Sequence, residues 1–502
     1  MILHTIKKWF LKAPSNWQFW LLLGCFAKIA LFLFKILQTH STEIDNFWGY
    51  TGGDTPEYLS PIENLLKNGV YSPDYRMPGY GAVYLPFIFF FSKATACNLL
   101  IIFQVLLAGV SVYALALIAK HIFKSTTFFY ATFYLYAISP SNNVFDTFLL
   151  TESLTVSLLI FSVYFLIRYN DNDKKITLLV SGLLITWVIF LRPVFMLVMG
   201  GFYLVILFHS IKNKRKLTIT LLFLLPFTMV DSLWMVHNYK YHKTISPLLV
   251  QIQPPIQKDS PFYKNLYLYP AFHFVQSWGG SIIWWANSAE IRWFGIYFGR
   301  WSPKSEKENN AILPDNIYTS KFNKDSLEAL KKMIIRINTD TTMPVALKHS
   351  YDQIVSEKFI LYTQSIKQEK PMLYFIEAPF KLLKKFLALG GSGDIINEVS
   401  KKYYFAEYLL QLYSEMFYNM IIILGSIGTL LLSKNIFKLS VVGLIPFISL
   451  YIIIIHPIIL RFTEGRYLVP ALPFMLICSI YTIHWCLRKF NIGHTNIQNY
   501  KK

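Results

Sequence analysis

The sequence predicts an all-α polytopic membrane protein of about ten transmembrane helices, with a juxtamembrane helical first outer loop and a mostly helical extracytoplasmic loop region. Three observations predict it. Only 15% of the 502 residues are charged and 54% are hydrophobic, whereas soluble domains carry about 25% charged residues. Mean hydropathy is +0.40. Apolar runs near the roughly 20 residues that a bilayer crossing needs recur along the chain, and Lys and Arg gather in short patches beside them. That placement follows the positive-inside rule and accounts for much of the net charge of +20. A nucleic-acid-binding domain would instead cluster its basic residues on one face. The expected partners therefore include membrane lipids and no nucleic acid. Cys25, Cys97, Cys478 and Cys486 all fall in apolar runs, as small buried hydrophobes do, and their spacing suits neither a disulfide framework nor a metal site.

Lys7, Lys8 and Lys12 precede the first apolar run, Trp17 to Leu37. It is too long for a signal peptide and lacks a small-residue cleavage site, so it reads as a retained span starting in the cytoplasm. Lys35 can snorkel from its far end, but Lys28, near the middle, needs an internal partner or a water-filled cavity. The first outer loop follows. Ser60-Pro61-Ile62-Glu63 has the form of a capping box with proline in the first helical position, and Gly69 is a suitable stop. A short helix between them, with Ile62, Leu65 and Leu66 on one face, would rest along the membrane surface. Gly81 to Phe91 is apolar but short, and reads as a dipping segment.

The next expected spans are Leu99 to Ala119, Thr126 to Ile138, Phe148 to Ile167, Ile176 to Leu191, Val194 to Phe208 and Leu217 to Val236. Lys120, His121 and Lys124, then Arg168, Lys174 and Lys175, then Lys212, Lys214, Arg215 and Lys216 mark the cytoplasmic turns. A long mixed interval with helical patches at Ser326 to Ile337 and Tyr374 to Leu387 comes next, followed by spans at Met416 to Leu432, Leu439 to Ile455 and Leu468 to Leu487. The domains read as a membrane module at 1–236 with its outer loop at 39–96, a large extracytoplasmic region at 237–408, and closing helices with a cytoplasmic tail at 409–502. The tryptophans at 278, 284, 285, 293 and 301 suit interfacial packing better than a sugar platform.

This topology brings Asp54, Arg76, Asp146, Glu152, Arg192, His237, Arg461, Glu464 and Arg466 to the outer ends of spans, where charges are costly unless they pair or meet a ligand. A carboxylate with two or more arginines suits chemistry on an anionic lipid headgroup. Arginine offers a planar fork for phosphate, and a carboxylate takes a proton from an attacking hydroxyl. Each residue also has a structural reading. Asp54 suits a turn cap ahead of Pro56, Arg76 and Arg192 suit snorkelling beside prolines, Glu152 suits a bridge to Arg192, and His237 suits an interface. Asp146 and Glu152, six apart, would not stack on one straight helix, and no convincing metal constellation emerges.

In order, Asp54, Tyr58, Leu65, Gly69, Tyr71 and Arg76-Met-Pro-Gly-Tyr80 resemble the first outer loop of the C-type (GT-C) glycosyltransferases, in particular bacterial members related to protein O-mannosyltransferases and the lipid A aminoarabinose transferase. Leu150-Thr-Glu152, Leu191-Arg-Pro193 and Gly465-Arg466-Tyr-Leu-Val-Pro470 continue the likeness, which covers about Trp17 to Arg215 and Pro371 to the end. The resemblance implies an inner-membrane enzyme of bacteria with its active site facing outside. It would transfer a sugar, with inversion, from a polyprenyl-phosphate donor to a glycan, lipid or protein acceptor. It implies Asp54 as the general base, Arg76, Arg192, Arg466 and His237 at the donor phosphate, and Tyr58, Tyr80 and Glu152 as supporting residues. No cofactor is implied with certainty; some relatives use a divalent metal. Two departures stand out: His237 occupies a position where relatives carry arginine, and Pro61 interrupts a stretch that is one helix in them. An O-antigen ligase or polymerase shares the outer arginines, and a transporter or flippase of lipid-linked sugars would explain Lys28.

Overall fold

A computed structural model describes residues 16–38, 44, 46–211, 216–248, 266–280, 289–297, 300–302, 313–388 and 404–489 of the 502. Lys7, Lys8, Lys12, Lys212, Lys214, Arg215, Trp284, Trp285 and the side chains of Lys35, Lys216 and Trp301 lie outside what is described. The chain divides into two compact units. One comprises Met1–Gln251, Gly391–Tyr451 and Val469–Lys502, the other Ile252–Gly390 and Ile452–Leu468.

The first unit is helical. Its elements are α1 (Trp17–Gln38), α2 (Thr55–Asn68), α3 (Gly79–Phe90), α4 (Lys93–Phe123), α5 (Thr126–Ala137), α6 (Pro140–Phe145), α7 (Thr151–Asn172), α8 (Lys175–Leu191), α9 (Met196–Ile211) and α10 (Lys216–His242). Seven stretches of the described chain are long and apolar enough to cross a membrane: Trp17–Phe34, Lys93–Phe123, Thr151–Asn172, Thr218–His242, Tyr408–Asn435, Val441–Ile459 and Gly465–Lys489. The protein is a helical membrane protein. The other three expected spans are shorter. Helix α5 has 12 residues, α8 has 17 and α9 has 16. At about 1.5 Å per residue, α5 measures roughly 18 Å against a hydrocarbon core of about 30 Å.

The sequence misplaces the start of α2. The helix begins at Thr55, behind Asp54, with Pro56 in its first turn, and Pro61 lies inside it rather than opening it. Two prolines five residues apart each suit a helix start, and the earlier one takes the role because Thr55 N–H reaches Gly52 O at 3.0 Å. Gly69 ends α2 as expected, in the left-handed region at φ 71°. The face carrying Tyr58, Leu59 and Ile62 is buried within the protein, with Ile62 against Gly81, while Leu66 is exposed. Of the three residues expected to lie on lipid, only Ile62 joins this docked face; Leu65 is half-buried.

Late in the chain, α15 (Tyr404–Leu432) packs along α17 (Leu472–Lys489), and α16 (Val441–Ile454) lies between them in sequence. The close approach uses Gly428, where a Cβ would sit 2.1 Å from Cys478 O. Small residues bring membrane helices together in this way. All four cysteines are free, and Cys97 and Cys478 are buried as expected.

The second unit holds α11 (Leu268–Ser277), α12 (Lys324–Thr339), α13 (Val345–Glu369) and α14 (Ala378–Ala388), with a two-residue antiparallel pair of β1 (Ile296–Tyr297) and β2 (Arg300–Trp301). Its core is aromatic. Phe274 packs edge-on to Phe322 at 5.4 Å, and Phe322 stacks on Tyr362 at 4.6 Å. Trp278 and Trp293 are buried in this core rather than placed at an interface. Helix α12 opens with a reciprocal capping box between Asn323 and Ser326. The segment Ile452–Leu468, read from sequence as part of the closing spans, belongs to this unit.

Candidate functional site

The first outer loop is bolted to two helices of its own unit. Tyr50 N–H donates to Thr147 O at 2.9 Å, Leu149 N–H donates to Tyr50 O at 3.0 Å, and the Tyr50 and Phe148 rings stack at 5.2 Å. Thr55 Oγ1 accepts from Gly52 N–H and donates to Leu149 O, both at 2.9 Å. These bonds hold the head of α2 against the residues entering α7. At the other end of the loop, Trp187 Nε1 on α8 donates to Gly79 O at 2.9 Å. Gly79 lies so close to α8 that a Cβ there would fall 2.4 Å from the Phe190 carbonyl. Asp54 before α2, Arg76 before α3, Glu152 in the first turn of α7 and Arg192 at the end of α8 are thereby drawn together.

Their common neighbour is Tyr58, which is almost fully buried. Burial pushes its phenol above the ordinary tyrosine range, while the charges of Arg76, Glu152, Arg192 and Asp54 all act on it. Arg76 lies over the Tyr58 ring at 5.5 Å. Its Nε and Nη2 both donate to Glu57 Oε2 at 2.7 Å, and Nη2 stands 3.6 Å from Asp54 Oδ2. Burial works against the charge on Arg76, but Tyr58, Glu57 and Asp54 outweigh it and hold its pKa above the usual arginine value. The Arg76 side chain remains 38% exposed. Arg192 pairs with the fully buried Glu152 and donates from Nε to Thr151 Oγ1 at 2.9 Å. Tyr80 packs its ring on Tyr58 at 5.4 Å and donates to Gln104 Oε1 at 2.8 Å, and Gln104 Nε2 donates to Phe148 O at 2.9 Å.

Asp54, Arg76, Glu152, Arg192, Tyr58 and Tyr80 are thus gathered, and the expected Glu152–Arg192 bridge is present. Asp146 is committed elsewhere. It takes the Lys28 ammonium at 2.8 Å and the Ser153 hydroxyl at 2.7 Å, deep in the unit, with Asn143 and the Tyr136 ring completing the surroundings of Lys28. This is the internal partner that Lys28 requires.

His237 meets a carboxylate: its Nε2 lies 2.9 Å from Asp74 Oδ2, and His242 Nε2 reaches the same oxygen. The three ligand atoms lie within 4.8 Å of one another. Together they form a group able to hold a metal ion. Sequence spacing hides the group, because Asp74 is 163 residues from His237 and the two histidines are five apart rather than on one helical stripe. Glu57 was also missed, although it sits one turn into the helix that Asp54 opens.

Arg461, Glu464 and Arg466 belong to the second unit. Arg466 pairs with Glu464 and lies over the Tyr467 ring at 5.4 Å. Arg461 stacks on Tyr374 at 3.9 Å and donates to the carbonyls of Gln276 and Tyr374 at 3.1 and 2.8 Å. No protein-family model, curated protein or solved structure matches the chain. Fold and site together define a helical membrane protein with carboxylates and guanidinium groups clustered around a buried phenol.

Proposed function

We propose that the protein is an integral-membrane glycosyltransferase of the GT-C kind, with about ten spans. It would move a sugar from a polyprenyl-phosphate carrier to an acceptor on the extracytoplasmic face of a bacterial inner membrane. The observation that carries this reading is the gathering of Asp54, Glu57, Glu152, Arg76 and Arg192 around Tyr58. In the reaction, the Asp54 carboxylate takes the proton of an acceptor hydroxyl. The acceptor oxygen bonds to the anomeric carbon as the bond from that carbon to the phosphate oxygen breaks, and the configuration inverts. A positioned base of this kind is worth about 10²–10⁴-fold. Arg76, whose guanidinium keeps an exposed edge beside Glu57, meets the departing lipid phosphate, and Arg192 supports it. His237 is engaged with Asp74, two residues before Arg76.

A transporter reading rests on Lys28, and the Asp146 carboxylate accounts for that residue. Mass spectrometry of envelope glycans from cells with and without the protein tests the proposal. One glycosylated product should disappear without it, and Asp54→Asn, inserted at wild-type level, should behave like the deletion. Unchanged glycans, or full activity in Asp54→Asn, would refute the assignment.

A further inference from the structure

Both imidazoles at the end of α10 present Nε2 to one oxygen of Asp74, which lies in the turn between α2 and α3. Two imidazoles and one carboxylate from separate segments are a donor set that binds zinc tetrahedrally and leaves a fourth position for water or a substrate oxygen. Ligands at about 2.0–2.2 Å from such an ion stand a little over 3 Å apart. His237 Nε2 stands 2.9 Å from Asp74 Oδ2 and His242 Nε2 is closer still to the same oxygen, so both imidazoles draw back from the carboxylate to admit an ion.

The ring that must not turn is already clamped. Trp234 stacks on His237 at 4.5 Å with the planes 12° apart, Tyr71 meets the same ring edge-on at 6.0 Å, and Tyr241 lies 4.7 Å away. Fixing the orientation of a ligating imidazole is what supporting groups do around metal ions. The side chains of Asp74, His237 and His242 keep 15%, 15% and 22% of their exposure, so an ion can enter.

We propose that Asp74, His237 and His242 bind one divalent transition-metal ion, zinc by preference. The ion fastens the 71–76 turn to the end of α10. Because Tyr71 Oη donates to Arg76 O at 3.2 Å, it also steadies the backbone that carries the Arg76 guanidinium. The site does not depend on the transferase reading: zinc binding without glycosyl transfer, or the reverse, would separate the two.

The test uses full-length protein in detergent, stripped with a chelator and titrated with zinc chloride alone. One zinc per chain should bind saturably and raise the thermal unfolding midpoint. Asp74→Asn and His242→Ala should each weaken binding by at least about 10–100-fold, the loss that even supporting residues produce. Absence of saturable binding, or equal binding by the variants, overturns the proposal. Should the variants fail to fold, X-ray absorption on zinc-loaded wild type decides. A shell of nitrogen and oxygen at about 2.0–2.2 Å with imidazole scattering is expected, and sulfur ligation or no imidazole scattering overturns it.

Discussion

The buried pair of Lys28 and Asp146 allows a test of packing separate from chemistry. Their side chains are 1% and 8% exposed, and the ammonium stands 2.8 Å from the carboxylate. Asp146→Asn keeps the shape and can still accept from Ser153, which now donates at 2.7 Å, but strands the ammonium. Stranding one charge of a buried pair costs about 3–5 kcal/mol, which at about 1.4 kcal/mol per decade is a hundred-fold or more in the folded-to-unfolded ratio. Lys28→Met strands the carboxylate at a similar cost. In the double variant no charge remains to strand. What is lost is the ion pair's own net contribution and a donor to Asn143, a deficit of about 0.5–1.5 kcal/mol per lost hydrogen bond. Unfolding of the solubilised proteins, read as a double-mutant cycle, should therefore show two damaged singles and a largely restored double. If the losses of the singles simply add, the two groups do not share their energy, and the account of Lys28 fails.

Glu152→Gln, which leaves Arg192 facing a neutral amide in a site where Glu152 is fully buried, should destabilise by about 3–5 kcal/mol, measured by the same unfolding assay. Gly79→Ala forces a methyl onto the Phe190 carbonyl and should cost about 1–3 kcal/mol while lowering any activity that depends on Arg76; normal stability would show that α3 can shift freely. Gly428→Ala should loosen α15 from α17 without touching the site, which crosslinking of cysteines placed along the two helices would report. Glu369 accepts from the Ser320 N–H and hydroxyl, both at 2.7 Å, and these bonds hold its pKa below the usual carboxylate value. Its contribution is present above the unfolded-state pKa and is lost as pH falls through the lower folded one, so Glu369→Gln should flatten that acid limb of the stability profile.

The apolar runs made the helices legible, because a membrane span must be both long and greasy. Trp17 to Leu37 and Ile176 to Leu191 agree with α1 and α8 to within a residue at each end. Charges at span ends also marked Asp54, Arg76, Glu152 and Arg192, since a bilayer makes such residues conspicuous. Hydropathy could not say which charges satisfy one another. Asp146 looked like Glu152 from sequence, yet one answers Lys28 from 118 residues away and the other answers Arg192. The Asp74 and His242 contacts were hidden for the same reason, and the start of α2 was obscured by two prolines equally suited to open it.

The chain leaves the second unit at Gly390 and returns to it for Ile452–Leu468. A contiguous recombinant fragment ending at 390 would therefore lack Arg461, the residue that clasps the carbonyls of Gln276 and Tyr374 and offers its own carbonyl to Gln276 Nε2 at 2.8 Å. Anyone excising this region for antibodies or spectroscopy should splice the returning strip back on, or expect a piece whose α11 edge has lost its clasp.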